Sequence, residues 1–343
     1  MNPVLYEDVC SIYNDENIDW KQFEGKRILI TGATGLIGLN LVNAFLFFNE
    51  KTDNPCTILA CIRNRDKAIR LFGENDTIEY IIQDITEDLD VDCDYIIHAA
   101  SMTSSKDFMY KPVETIDIAI KGTQNVLNLS RKYNVKKMVY LSSMEIYGHP
   151  EKGHEVLEEE VAGFDIHNPR NSYPVSKILC ESMAVSMAKE YGVNACILRL
   201  TQTFGYGVPY EDGRVFAQFM RSAMERKDII LKTKGETERC YLYTADAIRA
   251  IITLLLKGQP GQAYTGANPE TYCSIADMAK LVCREIANDE IKVSFELDDI
   301  TKYGYADTLY MKLNVDKLMN LGWKPIFSLK DMFKRMIDSQ NEI

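Results

Sequence analysis

Residues 26–38, K-R-I-L-I-T-G-A-T-G-L-I-G, join a short apolar strand, Lys26–Thr31, to a glycine-rich turn and the start of an apolar helix. The three glycines are spaced as G-x-x-G-x-x-G. Gly32 would permit a tight turn, Gly35 would let the backbone approach a phosphate, and Gly38 would let the helix pack closely on the strand. The N-terminus of the helix offers backbone N–H groups to an anion. The stretch therefore predicts a βαβ unit that binds a dinucleotide.

Further apolar strands follow along the first two thirds of the chain, with helical patterns between most of them. The predicted strands are Thr57–Ile62, Ile78–Ile82, Tyr95–Ala99, Met138–Leu141 and Ala195–Leu200. The predicted helices include Val113–Tyr133 and Tyr173–Tyr191. Continuous apolar strands that alternate with helices indicate a parallel sheet covered on both faces. We therefore predict an α/β protein with a doubly wound, Rossmann-type parallel sheet and a smaller mixed α/β lobe at the C-terminal end.

The chain of 343 residues is longer than one hydrophobic core usually serves, which supports two lobes. Residues 1–24 are predicted to form an N-terminal extension with an amphipathic helix. Residues 25–203 would form the dinucleotide-binding domain. Residues 204–343 would form mainly the substrate-binding lobe, with a segment at about 239–257 returning to the first domain.

Charge and composition exclude several classes of protein. The net charge of −11 argues against nucleic acid as a partner, because neutralising phosphates needs clustered lysines and arginines. The nine cysteines and four histidines are scattered and contain no C-x-x-C pair, so we expect no metal site and a reducing compartment. The longest apolar run, Leu36–Phe48, is too short to span a bilayer, and the acidic N-terminus is unlike a signal peptide. We therefore expect a cytoplasmic protein with no nucleic-acid or membrane partner.

The end of the second predicted strand bears on which nicotinamide dinucleotide binds. It reads A-C-I-R-N-R (60–65), whereas an acidic residue here would bind the ribose 2′-hydroxyl of NAD. Arg63 and Arg65 would instead suit a 2′-phosphate, which favours NADP over NAD; alternatively, both are solvated surface charges. With Arg63, the predicted cofactor contacts at the glycine turn and the strand ends are Gly32, Thr34, Gly35, Leu36, Ile37, Gly38, Asp84, Ile85, Ala99, Ala100, Ser101 and Leu200.

A second stretch, Lys137–Gly148 (K-M-V-Y-L-S-S-M-E-I-Y-G), is predicted to deliver Ser143 to the carboxyl edge of the sheet, where open parallel sheets bind ligands. Tyr173 and Lys177 lie one turn apart at the start of a long helix. A nearby ammonium and a positive nicotinamide ring would lower the pKa of the phenol from roughly 10. Tyr173 could then accept a proton from a substrate hydroxyl while hydride leaves the same carbon. Ser143 would orient that oxygen and Lys177 would hold the nicotinamide ribose; the alternative is an ordinary surface pair of Tyr and Lys.

Seven motifs, spread over nearly the whole chain, occur in the order of a known family. They are T-G-A-T-G-L-I-G (31–38), H-A-A-S (98–101), G-T-Q-N-V-L (122–127), L-S-S-M-E-I-Y-G (141–148), Y-P-V-S-K (173–177), R-L-T-Q-T-F-G (199–205) and L-G-W-K-P (321–325). In these motifs the chain closely resembles the extended short-chain dehydrogenase/reductase family, in its nucleotide-sugar epimerase/dehydratase branch. The resemblance implies an NAD(P)-dependent enzyme that acts on a nucleotide-diphosphate sugar, with Ser143, Tyr173 and Lys177 as catalytic residues. It also implies a homodimer and substrate contacts from Thr103, Met144, Gln202, Arg214 and Arg239.

The two residues after Ser143 bear on the reaction. Dehydratases of this branch often carry an acid–base pair at these positions, where this chain has Met144 and Glu145. Met144 cannot donate a proton. Glu145 is retained as a catalytic candidate, as in dehydratases and sugar-acid decarboxylases, although it could also be only a polar residue at the cleft wall.

The resemblance implies transient oxidation of the sugar at C4, after which several outcomes are open. Returning the hydride to the opposite face needs no further base, so we rank a C4 epimerase first. A 4,6-dehydratase or sugar-acid decarboxylase that uses Glu145 comes next, followed by an NADPH-dependent 4-ketoreductase, which Arg63 would favour. A hypothesis from a different class is a non-catalytic regulatory protein that binds NADP.

Overall fold

The computed structural model describes residues 1–102, 105–297 and 308–340, and only the backbone of residues 105–107. In chain order, its strands are β1 (Arg27–Thr31), β2 (Thr57–Ile62), β3 (Ile78–Ile82), β4 (Tyr95–His98), β5 (Lys137–Ser143), β6 (Glu155–Val156), β7 (Ala195–Leu200), β8 (Gln202–Phe204), β9 (Ile229–Leu231), β10 (Glu238–Tyr243), β11 (Ala263–Gly266), β12 (Asn268–Ser274), β13 (Val293–Phe295) and β14 (Tyr310–Leu313).

The α-helices are α1 (Pro3–Tyr13), α2 (Leu36–Asn49), α3 (Arg65–Phe72), α4 (Ser105–Tyr110), α5 (Pro112–Lys132), α6 (Ser172–Tyr191), α7 (Val215–Glu225), α8 (Thr244–Lys257), α9 (Ile275–Leu281), α10 (Asp316–Met319) and α11 (Leu329–Gln340). Short 3₁₀ turns lie at Trp20–Phe23, Met144–Tyr147 and Pro169–Asn171, and a π-helical turn at Val282–Ile286 continues α9.

The main sheet has seven strands in the order β3-β2-β1-β4-β5-β7-β11, and every neighbouring pair is parallel. The strand order reverses between β1 and β4, so a crevice opens there at the carboxyl ends of the strands. The predicted doubly wound parallel sheet is confirmed.

Helices cover both faces of this sheet, as the side-chain alternation in β1 illustrates. Ile28 and Ile30 belong to a core that includes buried side chains of α2 and α8. Leu29 faces the other way, into a core with buried side chains of α5 and α6. Apolar residues on both sides of each strand explain the continuous apolar runs in the sequence. Among the described helices, none is both long and apolar enough to cross a lipid bilayer.

The sequence pattern missed the seventh strand of the main sheet. This strand, β11, reads A-Y-T-G and pairs with β7 along the register Ala263–Ile197 to Gly266–Leu200. Four residues that include a glycine carry too little apolar periodicity to be recognised alone. Because β11 pairs with β7, part of the chain beyond residue 203 returns to the first sheet. The 239–257 segment is itself divided: β10 joins a second sheet, whereas α8 contacts α2 and β5.

The second lobe is built on a mixed sheet in the order β12-β10-β14-β6, with β8 also paired to β10. Strands β10 and β12 are antiparallel, and the other pairs are parallel. Strands β9 and β13 form a separate parallel pair. Strand β8 follows β7 after a single residue, so the second sheet starts beside the carboxyl edge of the first.

The N-terminal extension connects to the C-terminal end of the chain. Asp8 of α1, which is 1% exposed, accepts hydrogen bonds from Tyr243 Oη at 2.7 Å and Arg335 Nη2 at 2.7 Å. The Asn2 side chain donates to the backbone carbonyl of Ser339 at 3.4 Å. Helix α1 therefore packs as part of the body of the protein.

Candidate active site

The glycine turn after β1 has a shape that side chains would fill. Gly32 has a φ of +68°, and a Cβ atom there would lie 2.9 Å from Ala100 Cα. A Cβ atom at Gly38 would lie 2.6 Å from Ala33 Cα. Gly35 precedes α2 and is exposed, so its backbone is open to a ligand. Thr34, Leu36 and Ile37 are partly exposed beside it. These residues fit the pyrophosphate of a dinucleotide at the N-terminus of α2.

A hydrogen-bond network beneath the turn fixes the ends of β1 and β4. Thr31 Oγ1 accepts from the backbone N–H groups of Ala99 and Ala100, both at 3.1 Å, and lies 2.8 Å from His98 Nδ1. Burial lowers the pKa of His98 to about 3, so the imidazole is neutral. Because Thr31 already accepts two bonds, it donates to Nδ1, and the Nε2–H of His98 then faces Thr123 Oγ1 at 3.3 Å. The sequence motif contained His98 and Thr31, but their pairing is a long-range contact.

The predicted catalytic residues come together at the carboxyl edge of the sheet. Ser143 ends β5, Tyr173 is the second residue of α6, and Lys177 lies one turn later. Lys177 Nζ donates to the Leu141 carbonyl at 2.7 Å and lies 5.6 Å from the centroid of the Tyr173 ring. The ammonium is also 4.8 Å from the ring of Tyr140. Lys177 is therefore held by the strand that carries Ser143.

Burial dominates the titration of this trio. It raises the pKa of Tyr173, an effect that the negative charge of Glu145 increases and a hydrogen bond with Ser143 opposes. It lowers the pKa of Lys177 to about 8. Since burial disfavours both charged forms, the protein itself does not produce the lowered phenol pKa expected from the sequence. Removing the phenol proton would need a further positive charge at the site.

The two residues after Ser143 point in different directions. Glu145 donates its backbone N–H to Ser143 Oγ at 3.2 Å, and its side chain is open to solvent although protein surrounds it on most sides. This partial enclosure raises the pKa of the Glu145 carboxyl, while the positive charges of Arg239 and Arg170 lower it. Met144 is 5% exposed and packs into the core, with its sulfur 3.1 Å from Thr201 Oγ1. Glu145 therefore faces the cleft, whereas the buried Met144 contributes little surface to it.

Predicted substrate contacts lie on the neighbouring strands β8 and β10, where Gln202 is opposite Tyr241 in the register. Within the described residues, Gln202 Oε1 and Arg239 Nε are buried atoms without a hydrogen-bond partner. Buried polar atoms are rarely left unpaired, so both fit the recognition of a polar ligand. Arg214 instead pairs with Asp212, Nη2 to Oδ2 at 2.7 Å. Thr103 lies outside the described residues.

The remaining predicted cofactor residues lie along the same sheet edge. Hydrogen bonds from the backbone N–H and the hydroxyl of Thr86 lower the pKa of Asp84, and the charge of the exposed Arg63 adds to this effect. Arg65 pairs with Glu74 at 3.3 Å. The cofactor residues that are partly or wholly buried at this edge are Ile85, Ala99, Ala100, Ser101 and Leu200. Of the two arginines, Arg63 is therefore the one placed beside a strand-end carboxylate.

Two residues at the site carried no signal in the sequence. Phe108 of α4 stacks on Tyr173, with ring centroids 4.3 Å apart and planes inclined by 10°. Arg170, in a 3₁₀ turn just before α6, places its charge near Glu145. Neither residue belongs to a motif, and both positions depend on how α4 packs against the 3₁₀ turn at Pro169–Asn171.

Comparisons with known proteins agree with this architecture. UDP-glucuronic acid decarboxylase 1 of Xenopus tropicalis is 28% identical over 316 residues, which is 91% of this chain and 71% of that protein. The crystal structure of UDP-glucose 4-epimerase from Thermotoga maritima with UDP-glucose matches with a TM-score of 0.77 and 21% identity, covering 92% of this chain and 99% of that one. UDP-glucuronic acid 4-epimerase from Bacillus cereus in complex with NAD matches with a TM-score of 0.74 and 21% identity, covering 92% and 99%.

These two structural matches show a shared fold. Residues 28–266, more than half of the chain, match the model of the NAD dependent epimerase/dehydratase family. Members of this family are NAD-dependent enzymes, which agrees with the glycine turn and the strand-end trio. The chain therefore belongs to the NAD dependent epimerase/dehydratase family, within the extended short-chain dehydrogenases/reductases that its motifs resemble.

Proposed function

We propose that this enzyme oxidises a nucleotide-linked hexuronic acid at C4, removes its C6 carboxylate as carbon dioxide, and then reduces C4. The observation that carries the proposal is Glu145, a carboxyl group open to the cleft beside Ser143 and Tyr173. Epimerisation at C4 needs no further acid–base group, whereas decarboxylation does. The curated relative from Xenopus tropicalis, a UDP-glucuronic acid decarboxylase, supports the same choice.

The first step uses the trio at the sheet edge. A bound nicotinamide dinucleotide supplies the hydride acceptor and donor, and the turn from Gly32 to Gly38 would hold it. Tyr173 would take the proton of the C4 hydroxyl, and Ser143 would donate a hydrogen bond to the same oxygen. Lys177, bonded to Leu141, would supply a nearby positive charge that favours the phenolate.

The second step would use Glu145. Once C4 is a ketone, the C6 carboxylate is β to it, and the electrons of the C5–C6 bond can move into an enolate as carbon dioxide leaves. Tyr173, now protonated, would donate to the enolate oxygen, and Glu145 would deliver a proton to C5. Enclosure by protein raises the pKa of Glu145 and so favours its protonated form, which is the form that a proton donor requires. The charges of Arg170 and Arg239, which both act on Glu145, would favour an anionic sugar.

C4 epimerase activity is the second candidate, and Met144 favours it. Met144 cannot donate a proton, and its sulfur packs beside Thr201. Glu145 is therefore the one titratable group in the two positions after Ser143. This arrangement also weakens the case for a 4,6-dehydratase, which would need both positions. The affinity for the 2′-phosphate of NADP stays a prediction that depends on Arg63.

Product analysis separates these reactions. The purified enzyme is incubated with NAD and UDP-glucuronic acid, and separately with UDP-glucose and with glucuronic acids on other bases, and the products are identified by mass spectrometry and NMR. A pentose product, lighter by one carbon dioxide, supports the proposal. A C4 epimer of unchanged mass establishes epimerisation instead. A 4-keto-6-deoxy product indicates dehydration, and turnover only with NADPH and a keto sugar indicates a reductase.

Substitution of Glu145 tests its role within the reaction. In Glu145→Gln, pentose formation should fall by about a hundredfold, while reduction of the dinucleotide during C4 oxidation persists. Tyr173→Phe should abolish both. Glu159→Gln, which changes an exposed carboxylate between β6 and α6, should behave as the wild type. Unchanged pentose formation in Glu145→Gln would remove this residue from the mechanism.

We also propose that the enzyme forms a homodimer. Its location in the cytoplasm stays a prediction from the sequence. Helices α5 and α6 lie side by side and carry exposed apolar side chains, including Ile116, Leu179 and Val185. A second copy covering them would remove that surface from water. Analytical ultracentrifugation should give twice the mass of one chain, and a monomer at micromolar concentration would contradict it.

A further inference from the structure

Helix α4 contributes one aromatic side chain to the active site. Phe108 is 5% exposed and lies almost parallel to the ring of Tyr173, 4.3 Å between centroids. Its neighbours Met109 and Tyr110 are exposed, the latter at 79%. The short helix therefore turns one side chain inward onto Tyr173 and leaves the next two in solvent.

The stacking restricts how Tyr173 can be approached. One face of its ring is covered by Phe108, and the whole residue is only 7% exposed. A substrate hydroxyl therefore cannot approach Tyr173 over the face that Phe108 covers. Stacked aromatic rings prefer a defined relative orientation, so Phe108 also limits tilting of the phenol about its χ angles.

We infer that Phe108 is a positioning residue for Tyr173: it holds the phenol oxygen in the orientation in which it meets the C4 hydroxyl, and it keeps water away from the ring. This inference rests on the proposed role of Tyr173 in C4 oxidation. It does not depend on what happens to the keto sugar afterwards, and so applies to decarboxylation and epimerisation alike.

The inference has a signature in the pH dependence of the reaction. Burial is the largest cause of the raised pKa of Tyr173, and Phe108 provides part of that burial. Removing the ring would admit water, which stabilises the phenolate and lowers this pKa. The charged and titratable groups that face Tyr173 from the elements around it are Tyr140 and Ser143 of β5, Glu145 of the following turn and Lys177 of α6. All of them stay in place in a Phe108 variant.

The experiment compares five variants with the wild type, using whichever nucleotide sugar is turned over; one of them, Tyr173→Phe, tests the catalytic assignment itself. In Phe108→Ala, kcat should fall by about tenfold with little change in KM, because the loss is in orientation. The rising limb of the profile of kcat against pH should move to lower pH by about one unit. Phe108→Leu, which fills the space without a ring, covers the case in which the alanine variant does not fold, and should lower kcat. Phe108→Tyr, which keeps the stacked ring, should have the kcat and the pH limb of the wild type. Tyr110→Ala on the same helix should also match the wild type.

The outcomes separate this inference from the proposed function. If Phe108→Ala and Phe108→Leu keep the wild-type pH limb and change only KM, Phe108 is a wall of the substrate site and the inference is overturned. If Tyr173→Phe retains full kcat, the catalytic assignment itself fails. Loss of activity in Tyr173→Phe together with an unshifted limb in Phe108→Ala refutes only the role given to Phe108.

Discussion

Lys177 has a buried ammonium group at the active site, and burying this charge costs stability. Its side chain is 3% exposed and donates one hydrogen bond, to Leu141, while two aromatic rings occupy much of the space around the ammonium. Burial lowers its pKa from the ordinary 10.5 to about 8. The charged form is therefore less favourable in the folded chain than in the unfolded one. This cost is fully present below about pH 8 and disappears as the pH rises towards 10.5.

Lys177→Met is therefore expected to stabilise the protein while abolishing C4 oxidation. At pH 7 the free energy of unfolding should rise by about 1–2 kcal/mol, because the buried charge is removed and one carbonyl loses its donor. The gain should shrink above pH 8. Urea denaturation across this pH range measures it. Lys137→Met is the matched control, since burial also lowers the pKa of Lys137, which bonds Gly258 away from the site; it should keep its activity. A Lys177→Met protein less stable than the wild type at pH 7 would contradict the argument.

The residues that the sequence could predict are those whose placement is local. Ser143 ends a strand, and Tyr173 and Lys177 are one turn apart on a helix, so secondary structure alone sets most of their geometry. Phe108 could not be predicted, because its position depends on how α4 packs against the turn before α6. The orientation of Met144 into the core likewise depends on Thr201, far away in the sequence.

At the scale of elements, the ends of β1 and β4 are joined through one hydroxyl. Thr31 Oγ1 accepts two backbone N–H groups from the Ala99–Ala100 segment, which also packs against Gly32. This contact lies at the crevice where the strand order reverses between β1 and β4. Each of these hydrogen bonds stabilises the fold by an ordinary amount. Leaving a buried N–H without an acceptor, however, costs more free energy than forming the bond gains.

Thr31→Val should therefore destabilise the protein by about 1–3 kcal/mol and weaken dinucleotide binding. The substitution keeps the shape of the side chain and removes only the hydroxyl. Thermal unfolding and calorimetric titration with NAD provide the two measurements. In Thr253→Val the same change removes a buried hydroxyl that has no partner within the described residues, so that variant should be neutral or stabilised. Equal losses in both variants would mean that the hydrogen bonds of Thr31 contribute nothing specific.

Sequence patterns succeed for elements with strong periodicity and fail for short ones. The strands Ile78–Ile82 and Ala195–Leu200 match their predicted bounds, and Val113–Tyr133 is shifted by one residue from the observed Pro112–Lys132. Strand β11 and most of the second sheet were not recognised. These strands are short, and they are stabilised by pairing with distant partners, such as β14 with β10 and β6.

At the scale of the whole molecule, buried charges connect the two ends of the described chain. Arg335 of α11 binds Asp8 of α1 at 2.7 Å and Glu7 at 2.9 Å, and Asp8 also accepts from Tyr243 at the end of β10. Asp8 is almost inaccessible, whereas the Glu7 side chain is 65% exposed. One arginine therefore makes a buried and an exposed ion pair, which allows a direct comparison.

Asp8→Ala should cost about 3 kcal/mol, because it leaves the charge of Arg335 partly buried without its main partner. Glu7→Ala should cost less than about 1 kcal/mol, since water screens the exposed pair. Denaturant unfolding of both variants, and of Arg335→Ala alone and combined with Asp8→Ala, gives the coupling energy. If the effects of Asp8→Ala and Arg335→Ala are simply additive, the pair is not coupled and the end-to-end connection is not what stabilises α1.

The pairing of α1 with α11 also has a consequence for how the protein is made. Asp8 and Arg335 are 327 positions apart, so α1 leaves the ribosome long before the helix that completes its surroundings. The apolar face of α1, including Leu5 and Val9, can meet α2 early. The Asp8 carboxylate obtains its ion-pair partner only once α11 has been synthesised. During translation, α1 would therefore be held by its apolar face while Asp8 still lacks Arg335 as a partner. Chaperones could bind the nascent chain in that interval.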